Sequence, residues 1–133
     1  MRRPPITSRS NPTSRYVALL RGINVGGKNK LPMRDLAAMF TEAGCTEVRT
    51  YIQSGNVVFS ATPMCVKRLP EVISQRIAER LGFRIPVVLR TVDEFRQVVT
   101  SNPFLKLNAD AGSLHVAFLA DLPNPRRVAA LDP

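Results

Sequence analysis

Apolar residues run almost unbroken from Tyr16 to Ile23, through Val17, Ala18, Leu19 and Leu20. Such a run predicts a strand buried on both faces in the middle of a sheet. Gly22, Gly26 and Gly27 interrupt it, and Pro32 falls where the first turn of a helix accepts a proline. Met33, Leu36, Ala37, Phe40 and Ala43 then recur at three- and four-residue spacing up to a stop at Gly44, which predicts the first helix. Val48 to Gln53 alternates as a strand, Ser54-Gly55-Asn56 is turn chemistry, and Val57 to Ser60 resumes, so the pair reads as a hairpin. Leu69, Val72, Ile73, Ile77 and Leu81 mark a second amphipathic helix, beginning between Val66 and Pro70 and ending at Gly82. Ile85 to Arg90 is a further strand, and Pro86 makes it an edge strand because proline cannot donate to a ladder. Thr91 and Glu94 have the spacing of a capping box and open a short third helix with Phe95, Val98 and Val99, stopped by Asn102-Pro103.

The order β-α-β-β-α-β with right-handed crossovers predicts an α+β, ferredoxin-like sheet with spatial order 4-1-3-2. Strand chemistry agrees: the apolar first strand is central, while the strands carrying Pro86 and the charged Glu47 and Arg49 are at the edges. We expect a domain over 15–104. Residues 1–14, rich in Pro, Ser, Thr and Arg, should be a disordered basic tail. Leu114, Val116 and Phe118 alternate as a fifth strand and Asn124-Pro125 opens a helix, so 105–133 looks like the start of an incomplete second unit.

Composition narrows the class. No run is apolar enough to span a bilayer and the N-terminus lacks the apolar stretch of a signal peptide, so a cytoplasmic protein without a membrane partner is expected. Cys45 and Cys65 are far apart and have no neighbouring ligand residues, which suggests reduced thiols and neither a zinc site nor a disulfide framework. Formal charge is +9, of which Arg2, Arg3 and Arg9 in the tail carry three, and the remainder is still basic. That field attracts phosphates, nucleic acid or acidic surfaces.

Topology then locates a surface. The first and second strands run the same way, so Arg21 to Lys30, Gln53 to Asn56 and Gly82 to Arg84 converge at one end of the sheet. There they gather the cations Arg21, Lys28, Lys30 and Arg84, the hydrogen-bonding groups of Asn24, Asn29, Gln53, Ser54 and Asn56, and the start of the first helix. Gly22 to Asn29 nearly spells a P-loop, but Asn29 replaces the magnesium-binding hydroxyl and Pro32 starts the helix too late to cradle phosphates. An anion-binding loop is the surviving functional alternative to glycines that only shape a tight turn. Ser54 lacks a base, since the lone His115 lies in the late strand, out of phase with its apolar face. No catalytic residue, metal ligand or cofactor is assigned. RNA binding on the sheet face, as in the RNA-recognition motif, is disfavoured because Tyr16 and Phe59 are the only aromatics on the central strands. That face should be largely apolar, to be covered by a homodimer or a further C-terminal part.

Leu19-Leu20-Arg21-Gly22-Ile23-Asn24-Val25-Gly26-Gly27 with Met33 and Leu36, and Thr50-Tyr51-Ile52-Gln53-Ser54-Gly55-Asn56-Val57-Val58-Phe59, together resemble the bacterial domain of unknown function 1697 family over about Arg15 to Pro123. The resemblance implies a cytosolic protein with a ferredoxin-like first part and a longer C-terminal part; it implies no activity. Its signature positions are Arg21, Gly22, Asn24, Gly26, Gly27, Gln53, Ser54, Gly55 and Asn56. The function expected is a noncatalytic binding module for a phosphate-bearing ligand or nucleic acid. Lys28 and Lys30 would be its charge partners, Gly26 and Gly27 its backbone donors, and Asn24, Gln53 and Asn56 its orienting groups. The alternatives are an enzyme on a small phosphorylated or carboxylated metabolite and a scaffold pairing through its sheet face.

Overall fold

The computed structural model describes residues 12–27, 30–53, 55–107 and 110–131. Strands β1 (Ser14–Leu20), β2 (Thr46–Tyr51), β3 (Asn56–Ala61) and β4 (Val87–Thr91) form one sheet, and α1 (Met33–Glu42) and α2 (Pro63–Leu81) provide the crossovers. The sheet order is β2-β3-β1-β4 with every neighbouring pair antiparallel, the ferredoxin-like order expected. After β4 come α3 (Val92–Thr100), short 3-10 turns at Pro103–Leu107 and Ala111–Ser113, and α4 (Pro125–Ala129). Ser14 pairs with Ala61 in the ladder, so the sheet begins inside the stretch expected to be tail. Residues 1–11 of that tail lie outside the described residues.

Alternation along the central strands sorts side chains to two faces. Ala18 and Leu20 of β1 and Val57, Phe59 and Ala61 of β3 point to the helices and are buried against Leu36 and Phe40 of α1 and Leu69, Ile73 and Ile77 of α2. Phe59 is the hub, with ring centroids 5.7 Å from Tyr16 and 5.2 Å from Phe40. Both central aromatics therefore belong to the core face. Arg76 and Arg80 of α2 reach Glu42 and Asp35 of α1, tying the two helices on their outer side.

α2 starts earlier than the periodicity suggests. Thr62 caps it, accepting from the Cys65 backbone N–H, and Pro63 takes the first helical position, leaving Pro70 inside the helix. The start signal is the Thr-Pro pair; burying Leu69, Ile73 and Ile77 on one stripe outweighs the hydrogen bond that Pro70 cannot make. Gly82 ends the helix in the left-handed conformation, as its position implied.

The second face of the sheet is less apolar and less open than expected. Register aligns Arg49, Val58, Val17 and Arg90 across all four strands, so an arginine flanks the apolar pair at each edge. Val17, Leu19 and Val58 are half-buried there. Phe95 of α3 stacks on Phe118 at 5.3 Å, while Arg90 lies over the Phe118 ring at 5.8 Å and donates to the Leu119 carbonyl at 2.8 Å. Leu114, Val116 and Phe118 consequently form no fifth strand. Alternation alone supplies no ladder partner, and burying Phe118 on Phe95 draws the segment alongside α3 as coil.

Candidate functional site

The two glycine-bearing segments meet as topology requires. Leu19 pairs with Asn56 at the end of the β1–β3 ladder, and the Leu20 N–H donates to the Gly55 carbonyl at 3.1 Å. Gly55 has φ +82, and a Cβ there would stand 2.9 Å from the Leu20 carbonyl oxygen and 3.1 Å from Ile23 Cδ1. Only glycine suits both the conformation and the space. Gly22, Gly26 and Gly27 are also at positive φ, but a Cβ on any of them would meet nothing within 4 Å. Their glycines permit turns without a close approach.

Asn24 is a loop staple. Its side-chain oxygen accepts from the Leu31 N–H at 2.7 Å and its amide donates to the Leu31 carbonyl at 2.8 Å, so both ends of the group serve one backbone unit. The side chain expected to orient a ligand thus serves the loop's own backbone in this structure. Leu31 is fully buried, and the staple pins this core residue at the foot of the loop. The start of α1 is also in use: Asp35 lies in its first turn and binds Arg80 at 2.6 Å, placing a carboxylate where an anionic ligand would otherwise meet the helix dipole.

Among the converging cations, Arg84 is paired with Glu71. Arg21 and Lys30 are exposed and have no acidic partner among the described residues. Gly22, Gly26, Gly27 and Gln53 are exposed as well. Lys28 and Ser54 lie outside the described residues. Asn56 is half-buried where β3 begins, in line with Leu19.

Arg21 and Asn56 share a cavity of about 640 Å³ with Leu19, Val88, Phe95 and Phe118. A second hollow of about 390 Å³ continues along the sheet past Leu19, Val17, Val58 and Arg15. Two of the expected residues thus face an apolar groove on the second sheet face, whereas Asn24 turns inward and Lys30 does not border this groove. Sequence reasoning missed Phe95 and Phe118. They are separated by the rest of α3 and two 3-10 segments, and no periodicity links a helix to a coil that lies against it.

His115 is exposed, with Nδ1 3.1 Å from the Ser113 carbonyl oxygen, and does not line the cavity that Arg21 and Asn56 share. Among the described residues no group of three His, Cys, Asp or Glu side chains could hold a metal ion, and no helix is long and apolar enough to cross a membrane.

No curated protein matches the chain. A solved structure described as that of the conserved bacterial protein SP0830 from Streptococcus pneumoniae is similar at 33% identity and a TM-score of 0.60, covering 69% of this chain. The chain spans 50% of that protein's length. The family model described as "Protein of unknown function (DUF1697)" matches residues 13–133, and the chain belongs to that family.

Proposed function

We propose that the protein is a noncatalytic binding module whose groove takes a ligand bearing an anionic group, a phosphate above all. Arg21 carries the reading: it is a guanidinium without an acidic partner among the described residues, at the mouth of a cavity that is otherwise mostly apolar. Such a fork binds phosphate or carboxylate in two parallel hydrogen bonds. Asn56 beside it supplies a donor and an acceptor, and Leu19, Val88 and Phe95 offer apolar surface for the rest of the ligand. Lys30, with Lys28 and the net charge of +9, draws anions toward this end.

Thermal shift and calorimetry against a panel of phosphorylated metabolites and short single-stranded RNA and DNA provide the test. A ligand raises the melting temperature as its concentration passes Kd. Arg21→Ala should weaken binding by a factor of about 10 or more, while Arg84→Ala, whose charge Glu71 already engages, should leave it within about twofold. Equal losses in the two variants, or no binding at low salt, would remove Arg21 from the role.

A second reading, a scaffold pairing through the sheet face, is favoured by the exposed apolar side chains that follow α3. Leu122 is 97% and Leu107 73% exposed, and residues 105–133 would on this proposal be part of a further unit that covers the groove. Light scattering that finds a monomer at every concentration would count against pairing between copies. Free thiols at Cys45 and Cys65 suit the cytoplasmic setting proposed here.

A further inference from the structure

Cys45 and Cys65, remote in sequence, are brought together on the side of the domain away from the groove. Cys45 joins α1 to β2 and is 3% exposed. Cys65 occupies the first turn of α2, where its N–H donates to the Thr62 hydroxyl at 3.3 Å. Its sulfur lies 3.4 Å from the Ala43 carbonyl oxygen, and a Cβ on Gly44 would stand 3.6 Å from it. Cys65 Sγ therefore packs on the very turn that delivers Cys45. Both thiols are free. Burial, and then the adjoining Cys65 sulfur, push the Cys45 thiol up to about 12.

Access to the two is unequal. Cys65 is half-buried and lines a cavity of about 450 Å³ with Gly44, Met64 and Arg68, and Cys45 does not line it. A small oxidant arriving from solvent meets Cys65 first.

We infer that Cys45 and Cys65 are a peroxide-sensitive dithiol that closes to a reversible intramolecular disulfide, with Cys65 the sulfur attacked first and Cys45 the resolving thiol. In the first step the Cys65 sulfur attacks hydrogen peroxide. The O–O bond breaks, an S–O bond forms, and Cys65 becomes a sulfenic acid while one water leaves. In the second step the Cys45 sulfur attacks that of Cys65, forming S–S and breaking S–O, and the Cys45 proton departs with the hydroxide as a second water. The two thiols lose two electrons and the peroxide is reduced to water. The bond would join the starts of β2 and α2 and close a covalent loop around the β2–β3 hairpin, which carries Gly55 and Asn56.

The experiment treats the intact, reduced chain with hydrogen peroxide, then measures whole mass, titratable thiols and the peptide map. The expected result is a mass lower by two hydrogens, loss of both thiols, and a dithiothreitol-sensitive peptide joining Cys45 to Cys65. In Cys45→Ser, Cys65 should instead be trapped by dimedone as the sulfenic acid, and in Cys65→Ser the buried Cys45 should stay unmodified. Oxygen addition at unlinked cysteines of the unaltered protein, a disulfide only between chains, or two thiols surviving an excess of peroxide would each overturn the proposal. The unaltered protein alone decides it should either variant fail to fold.

Discussion

Asn24 spends both ends of its side-chain amide on the backbone of one residue, Leu31, at 2.7 and 2.8 Å. Its own φ of +55 is one that asparagine tolerates better than most residues. The pair converts a glycine-bearing loop from a flexible connection into a closed one, with Leu31 sealed in the core beneath it.

Asn24→Ala should therefore destabilise the fold without touching the groove. It leaves the Leu31 N–H and carbonyl without their partners and puts a Cβ-bearing residue with no compensating side-chain bond at positive φ, for a combined loss of about 2 to 4 kcal/mol. Urea unfolding should show a lower midpoint at unchanged slope. A variant within about 0.5 kcal/mol of the original would show that water replaces the staple.

Gly55 and Gly26 should separate conformational strain from collision. Gly26→Ala meets no atom and should lose only the left-handed penalty, about 1 to 2 kcal/mol. Gly55→Ala adds a contact of 2.9 Å with the Leu20 carbonyl oxygen, backbone that cannot swing away, and should melt well below Gly26→Ala. Equal melting temperatures would mean that the β2–β3 turn shifts freely against β1.

The cap of α3 predicts a pH dependence of known sign. Hydrogen bonding from the Thr91 backbone N–H holds the Glu94 carboxyl below its ordinary value of 4.5, and the Thr91 side chain and the charge of Arg90 act in the same direction. A carboxylate depressed in the folded state adds stability above the unfolded pKa, and that contribution is lost as pH falls through the folded value. Glu94→Gln should remove this part of the acid sensitivity. Thr91→Ala, which takes away the hydroxyl that accepts the Glu94 N–H, should cost about 1 kcal/mol at neutral pH. Identical acid-unfolding curves for Glu94→Gln and the original would deny the capping box a role in solution.

Phe118 should hold the coil that borders the groove. Phe118→Ala removes the stack on Phe95 and the ring under Arg90, so amide exchange should quicken over 116–120 and α3 while the β1–β3 pairing keeps its protection. Loss of protection throughout the sheet would mean that this segment is integral to the core.

Residue order by itself determined the layered frame, because the signals involved are local. The runs through Tyr16 to Leu20 and Val57 to Ser60, the helical stripes of Leu36 and Phe40 and of Ile73 and Ile77, and the stop at Gly82 each act within a few residues. Right-handed crossovers then leave little freedom in strand order, which is why the end of the sheet where Gly55 meets Leu20 could be located in advance. Tertiary structure decided the use of each polar group, since one hydrogen-bonding side chain can serve a ligand or the protein's own backbone. Packing directed Asn24 to Leu31 and Arg84 to Glu71, left Arg21 at an apolar cavity, and brought Cys65 against the turn bearing Cys45. It also drew Phe118 onto Phe95, where alternation had predicted a strand. Those outcomes depend on groups distant in the chain competing for the same partners, and no local pattern encodes which of them wins.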